Sequence, residues 1–325
     1  MEHAFISNDA AGAAYAVRQS MVPATVRAAF QPVSSVQAAE AYTRQLTGTH
    51  YENFSAVSIL LPKRLRQDFC NVYAFCRTAD DLADEVADRD KASQFLAAFK
   101  AQTQACYAGT STTAVFVALA ATIKRHDIPI DPFLDLIDAF EQDQRVDRYE
   151  TFEDLVEYCR RSANPVGRLV LYMCGYRDEL RQRLSDQTCT ALQLANFWQD
   201  VRRDMADRSR IYLPRDSRER FGVTERQIGE GRFDDNYRRL IEYEVQRTEA
   251  MFTEGEGLLP LLDSTVRPQI ALFGKGGRAV LAAIRRQGYD TLSRRPVLTR
   301  WQKGRLVMSA LGAVLAGRLT GRARA

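Results

Sequence analysis

Two groups of side chains in this sequence could do chemistry. The first lies in Tyr73-Ala-Phe-Cys-Arg77-Thr-Ala-Asp80-Asp81-Leu-Ala-Asp84-Glu85. On a helix that turns about 100° per residue, Tyr73, Arg77, Asp80 and Asp84 share one narrow stripe. The second is Gln193-Leu-Ala-Asn196-Phe-Trp-Gln-Asp200-Val-Arg-Arg-Asp204. Gln193, Asn196, Asp200 and Asp204 recur at i, i+3, i+7 and i+11 and again share a stripe. Carboxylates and amide oxygens spaced this way suit a hard cation. Mg²⁺ prefers oxygen and commonly binds through one or two carboxylates plus the phosphates of a substrate. Two such stripes, with Asp80 and Asp84 on one and Asp200 and Asp204 on the other, therefore imply a phosphorylated or diphosphorylated substrate held by metal bridges.

The helices that carry these stripes read as buried. Around the first, Phe69, Val72, Ala74, Phe75, Ala79, Leu82 and Ala83 leave little polar surface. Around the second, Leu194, Trp198, Val201 and Met205 form a separate core face. Carboxylates turned inward cost several kcal/mol unless paired, and Arg77 can pair with only part of the charge. An apolar pocket would need walls as well, for which Phe54, Phe75, Phe140, Val166, Leu169, Phe197 and Tyr289 are candidates. Such a pocket with a metal-bearing mouth suits a hydrocarbon chain that ends in diphosphate.

The rest of the chain reads as all-α. Strand-like alternation is scarce and Asn-Gly or Asp-Gly hairpin signals are absent. Apolar periodicity predicts helices over 40–48, 64–86, 91–107, 113–126, 132–145, 151–161, 165–175, 178–205, 224–228, 233–258, 262–289 and 298–317. Breaks are expected at Pro62, the stretch 127–132, Pro165, Pro214, Pro260 and Pro296. Residues 1–40, with Pro23 and Pro32, read as a loosely ordered extension, and residues 41–325 as one large helical domain.

Composition narrows the function classes. The net charge of +4 comes from 45 Lys+Arg against 41 Asp+Glu, too balanced to imply nucleic acid. The only histidines are His3, His50 and His126, a poor supply for zinc or a His-based triad. The six cysteines form no CxxC pair and read as reduced core thiols. No secretory signal or spanning helix is expected. A di-iron bundle would use Glu-x-x-His, which does not occur here. A non-catalytic scaffold would leave two acid stripes with nothing to offset them.

On these residues the chain resembles the squalene/phytoene synthases, the head-to-head prenyl synthases. The resemblance runs from about Tyr51 to Arg305. Its most specific parts are Tyr51-Glu-Asn-Phe-Ser with Leu60-Leu-Pro62, the two acidic blocks, and Arg210-Ile-Tyr-Leu-Pro214. It implies the isoprenoid synthase fold, with a central cavity between antiparallel helices and Mg²⁺ held by the four aspartates. It also implies that Asn53, Arg77 and Arg210 contact diphosphate, that Gln193 and Asn196 line the site, that Tyr73 and Tyr158 line the reaction cavity, and that Tyr212 belongs to a flap over it. Phe54 and Tyr289 would contact the substrate.

Within the family, Tyr-Glu-Asn-Phe, Asn-Phe-Trp-Gln-Asp, Arg286-Gln-Gly-Tyr-Asp and Trp301-Gln-Lys-Gly-Arg305 look most like the bacterial hopanoid-pathway branch, which takes presqualene diphosphate to hydroxysqualene. Ala195 and the pair Arg202-Arg203 depart from that branch's pattern. The alternative is a squalene or phytoene synthase that joins two prenyl diphosphates. Gly274-Lys-Gly-Gly-Arg278 lacks the spacing and strand context of a dinucleotide fingerprint, so NADPH is not expected and water would end the cation. The basic, apolar-faced C-terminus, with Trp301 and residues 306–316, suggests a cytoplasmic enzyme held at the inner membrane surface, where other hopanoid-pathway enzymes would be its partners.

Overall fold

The computed structural model describes residues 24–49, 61–299 and, within 301–312, all but 303, 307 and 310. Among these residues the protein is helical, with two isolated backbone bridges, Pro32 with Thr113 and Arg148 with Ile211, and no strand. It forms two compact units. One takes the chain up to Arg145 together with Arg168–Arg177, and the other takes Val146–Gly167 together with Asp178 onward.

The first unit contains α1 (Ala24–Ala29), α2 (Val36–Thr49), a 3₁₀ turn (Lys63–Leu65), α3 (Arg66–Asp84), α4 (Arg89–Tyr107), α5 (Ala114–His126) and α6 (Asp131–Gln142). Helix α3 is its axis and packs against each of the other five. The apolar residues around α3 are buried, as its composition predicts. Phe75 sits among Phe99, Phe116 and Phe133, with ring centroids 4.9, 6.2 and 4.9 Å away. At the other end of α3, buried Asp68 accepts from Thr122 at 2.9 Å and from Arg125, and pairs with His126 Nε2 at 2.9 Å. Buried Asn71 donates to Thr122 Oγ1 and Ala118 O, and accepts from Thr43 at 2.7 Å. These bonds satisfy polar groups that burial would otherwise make costly, and they fix the register of α2, α3 and α5.

The second unit contains α7 (Phe152–Ser162), α9 (Glu179–Arg208), α10 (Arg215–Phe221), α11 (Glu225–Gly229), α12 (Asp235–Gly255), a 3₁₀ segment (Glu256–Leu261) and α13 (Arg267–Arg286). Helix α8 (Asn164–Met173) is divided between the units. The 30-residue α9 is the axis here and packs on α7, α11, α12 and α13. Its core face buries Leu194, Trp198 and Val201, and Trp198 Nε1 donates to Thr248 Oγ1 of α12 at 2.8 Å. Helix α13 approaches so closely that a Cβ on Gly277 would overlap the Phe252 ring. Side-chain caps start several helices: Asp178 for α9, Thr151 with Asp154 as a capping box for α7, and Asp234 for α12.

The observed helices differ from the periodicity at their margins. Helix α2 begins at Val36, four residues before the expected start. Residues 24–29 are helical, and Ala29 and Phe30 are buried, with Phe30 6.0 Å from Phe99. This short helix lies within the stretch that the sequence reading took as loosely ordered. Residues 1–23 of the expected extension lie outside the described residues. Helix α10 was not expected. The last long helix starts at Arg267 because Pro260 and Pro268 accept only a 3₁₀ segment and a helical first turn around them. Of the expected helix over 298–317, the described residues from Trp301 to Gly312 are helical.

Candidate active site

In the first unit, α3 carries Tyr73, Arg77, Asp80 and Asp84 half-buried along its last three turns. Arg77 spreads over three carboxylates. It donates to Asp80 Oδ2 at 3.1 Å and to Glu85 Oε1 at 3.2 Å, and pairs with Asp81. The sequence reading passed over Asp81. Its side chain is only 3% exposed, against 38% for Asp80. Burial pushes the Asp81 carboxyl up to about 6, against the pull of Arg77. Tyr42 of α2 lies near it, and its phenol is raised by burial and by the Asp81 charge. Burial also raises the Tyr73 phenol. Arg77 is thus shared among the carboxylates of a strongly acidic helix end, where Asp80 stays 38% exposed.

In the second unit, α9 places Gln193, Asn196, Asp200 and Asp204 on its less buried side, away from Trp198. Burial, and then the neighbouring Asp200, push the Asp204 carboxyl up to about 7. Ser209 closes α9 in a left-handed conformation (φ 54°), which sends the chain back alongside residues 147–149. Ile211 N donates to Asp147 O at 3.0 Å and Arg215 N to Tyr149 O at 2.9 Å. This return buries Arg210, whose Nε lies 3.9 Å from Asp147 Oδ1, and sets Tyr212 face to face on Phe197 of α9, with centroids 3.7 Å apart and planes 8° apart. Tyr158 of α7 lies 6.1 Å from Tyr212 and 6.2 Å from Phe197. Tyr149, which sequence reasoning missed, completes the group at 5.4 Å from Tyr158 and 5.9 Å from Tyr212. The four rings come from three chain segments, so no local spacing announced Tyr149. Their π faces could stabilise a cation.

Tyr289 does not join this group. Its hydroxyl turns to Glu242 Oε1 at 3.4 Å. Phe75 is a core ring of the first unit and not a free wall. Asn53 and Phe54 lie outside the described residues. Arg295, also missed, pairs with Asp200.

Among the described residues no group of three or more His, Cys, Asp or Glu is placed to hold a metal by itself. Each stripe offers two carboxylates, and the second adds two amide oxygens. Such a donor set fits an Mg²⁺ that completes its shell with waters and phosphate oxygens.

The Squalene/phytoene synthase family model matches residues 47–302. The chain belongs to the squalene/phytoene synthase family. It is 28% identical over 296 residues to the 15-cis-phytoene synthase of Synechococcus elongatus, covering 87% of this chain and 94% of that protein. It is 31% identical over 251 residues to the hydroxysqualene synthase of Zymomonas mobilis, covering 76% and 83%. Among solved structures, squalene synthase HpnC from Alicyclobacillus acidocaldarius is 46% identical and superposes with a TM-score of 0.74, covering 86% of this chain and 98% of that one. The isoprenoid synthase fold expected from the sequence is thereby borne out. As a squalene/phytoene synthase, the protein belongs to a family that acts on prenyl diphosphates and condenses them head to head.

Proposed function

We propose that this protein is the hydroxysqualene-forming member of its family, ionising presqualene diphosphate in a reaction that needs Mg²⁺. The observation that carries the reading is the 31% identity over 251 residues to the hydroxysqualene synthase of Zymomonas mobilis, while the 46% identity to squalene synthase HpnC supports the wider squalene-forming class. The motif resemblance to the hopanoid-pathway branch supports it. In this reading Asp80, Asp84, Asp200 and Asp204 hold Mg²⁺, with Gln193 and Asn196 beside the second pair. The bound metal supplies electrostatic stabilisation of charge on the departing diphosphate. Arg77 and Arg210 add fixed positive charge at the oxygens, and Asn53 a hydrogen bond. The C–O bond to diphosphate breaks and the electron pair leaves with oxygen. Tyr158, Phe197 and Tyr212 present aromatic faces to the cation and exclude stray water while it rearranges. A water molecule then adds to carbon and gives up a proton, leaving hydroxysqualene and diphosphate.

Mass spectrometry of products tests this. The purified protein, given presqualene diphosphate and Mg²⁺ without NADPH, is expected to make hydroxysqualene. Squalene that appears only with NADPH would overturn water capture. Phytoene from geranylgeranyl diphosphate would favour the second reading, which the Synechococcus relative supports.

We also propose that the protein works at a membrane surface, together with other hopanoid-pathway enzymes. No helix among the described residues is long and apolar enough to cross a membrane. Past α13, however, Trp301 is 91% exposed and Met308 66%, and Trp301, Arg305 and Met308 share one helical face at i, i+4 and i+7. A face that joins exposed Trp301 and Met308 to Arg305, in a sequence stretch that also holds Arg294, Arg300 and Lys303, suits an anionic interface. Flotation with anionic liposomes is expected to fall as salt rises and to drop on replacing Trp301 and Met308 with Ser. Protein that stays soluble at low salt would exclude this role.

A further inference from the structure

After α13 the chain reverses and runs back along α9. Gly288 and Tyr289 both take positive φ, 65° and 64°. Asp290 Oδ1 then accepts the backbone N–H groups of Leu292 and Ser293 at 3.2 and 2.9 Å. Thr291 and Leu292 are fully buried, and Thr291 shares a 2.7 Å hydrogen bond with Tyr237 of α12. From this anchor the strap 287–296 is bound to α9 at three successive points. Arg202 donates to Leu292 O at 2.8 Å, and Gln199 donates to Pro296 O. Arg295 lays its fork on Asp200, with Nη2 2.9 Å from Oδ2 and Nε on Oδ1, and Nη2 also reaches Gln199 Oε1 at 3.2 Å. Arg202, one of the two arginines that depart from the hopanoid-pathway branch's pattern, thus holds the strap.

Both oxygens of Asp200 are therefore engaged by one guanidinium, and the side chain is only 17% exposed. A two-pronged Arg–carboxylate pair is stronger and geometrically more specific than a single contact, although Arg295 itself is 45% exposed and solvent weakens the pair. The oxygens it occupies are the ones a metal would need. We propose that Arg295 is an internal counter-cation that competes with divalent metal for Asp200, so that the strap 287–296 must release Asp200 before metal binds there. The proposal rests on the reading of Asp200 as a metal ligand. Its consequence is a metal site kept weak until substrate diphosphate raises the affinity. That would limit capture of metal without substrate, and Arg202 and Gln199 would set how firmly the strap is held.

The test is Mn²⁺ titration of the full-length protein, followed by the EPR signal of free Mn²⁺, first alone and then with inorganic diphosphate. Arg295→Gln is expected to bind Mn²⁺ alone about tenfold more tightly than the unaltered protein, a difference of about 1.4 kcal/mol. Arg295→Lys, a point charge without the fork, should fall between them. Arg202→Ala leaves every carboxylate in place and loosens the strap, so it should shift affinity the same way by a smaller factor. This second route keeps the test valid if Arg295→Gln folds poorly. Unchanged or weaker Mn²⁺ binding in both Arg295→Gln and Arg202→Ala overturns the competition. Asp200→Asn separates that failure from failure of the site: if it binds Mn²⁺ in the presence of inorganic diphosphate as tightly as the unaltered protein does, Asp200 is no ligand and the underlying reading falls instead.

Discussion

Replacing Asp80, Asp84, Asp200 or Asp204 singly with Ala lowers turnover by about a thousandfold or more and leaves the protein folded. A metal that stabilises the departing diphosphate supplies several kcal/mol, and each 1.4 kcal/mol lost from the transition state is about tenfold in rate. Loss of one of only two carboxylates in a stripe should therefore remove most of the acceleration. The effect on stability should be small, and at Asp204 it should be favourable. Folding raises the Asp204 carboxyl from its usual 3.8 to about 7, so the folded state loses stability as pH climbs through that window. An uncharged side chain escapes this loss, so Asp204→Asn should melt at or above the temperature of the unaltered protein at pH 8. Asp200→Ala is the exception, since it strips Arg295 of its partner. Turnover of presqualene diphosphate, with thermal melts of each variant, checks both halves. Full activity in any two of the variants, or activity undiminished by EDTA, would end the metal-site reading.

The stripes were legible because helix periodicity is local. Residues three and four apart meet whatever the rest of the chain does, so the spacing of Tyr73, Arg77, Asp80 and Asp84 and of Gln193, Asn196, Asp200 and Asp204 carried their shared faces directly. The core face through Leu194, Trp198 and Val201 was legible for the same reason. Long-range pairing left no such trace. Arg295 reaches Asp200 across 95 positions, and Tyr149 reaches Tyr212 only because Ser209 turns the chain back beside residues 147–149. Nor did spacing reveal that Asp81 is the buried acid of the first block. It sits about 100° around α3 from Asp80, where Arg77 and the body of the unit cover it. The helix over 24–29 was missed because two prolines in a small-residue stretch look like loose chain until Phe30 is seen against Phe99.

The position of the first acid stripe depends on packing far more than on its own charges. Phe75→Ala is expected to destabilise the protein by about 3–5 kcal/mol, as buried Phe truncations do. Phe75 points from α3 into the interior opposite the acids, and its ring is fully buried against Phe99 of α4, Phe116 of α5 and Phe133 of α6. Truncation removes the one ring that touches all three helices and leaves a void. Contacts this dense relax only in part, so the cavity adds to the lost burial. Phe75→Leu keeps most of the volume and should cost less than about 1.5 kcal/mol. Denaturation followed by circular dichroism is the suitable measurement, because both tryptophans, Trp198 and Trp301, lie outside this unit. A Phe75→Ala protein within 1 kcal/mol of the unaltered one would mean that α3 is not held by this cluster. The same loss should reach the chemistry. Asp80 and Asp84 lie only five and nine residues beyond Phe75, so a helix free to shift by an ångström there carries its carboxylates with it, and activity should fall even under conditions where Phe75→Ala remains folded.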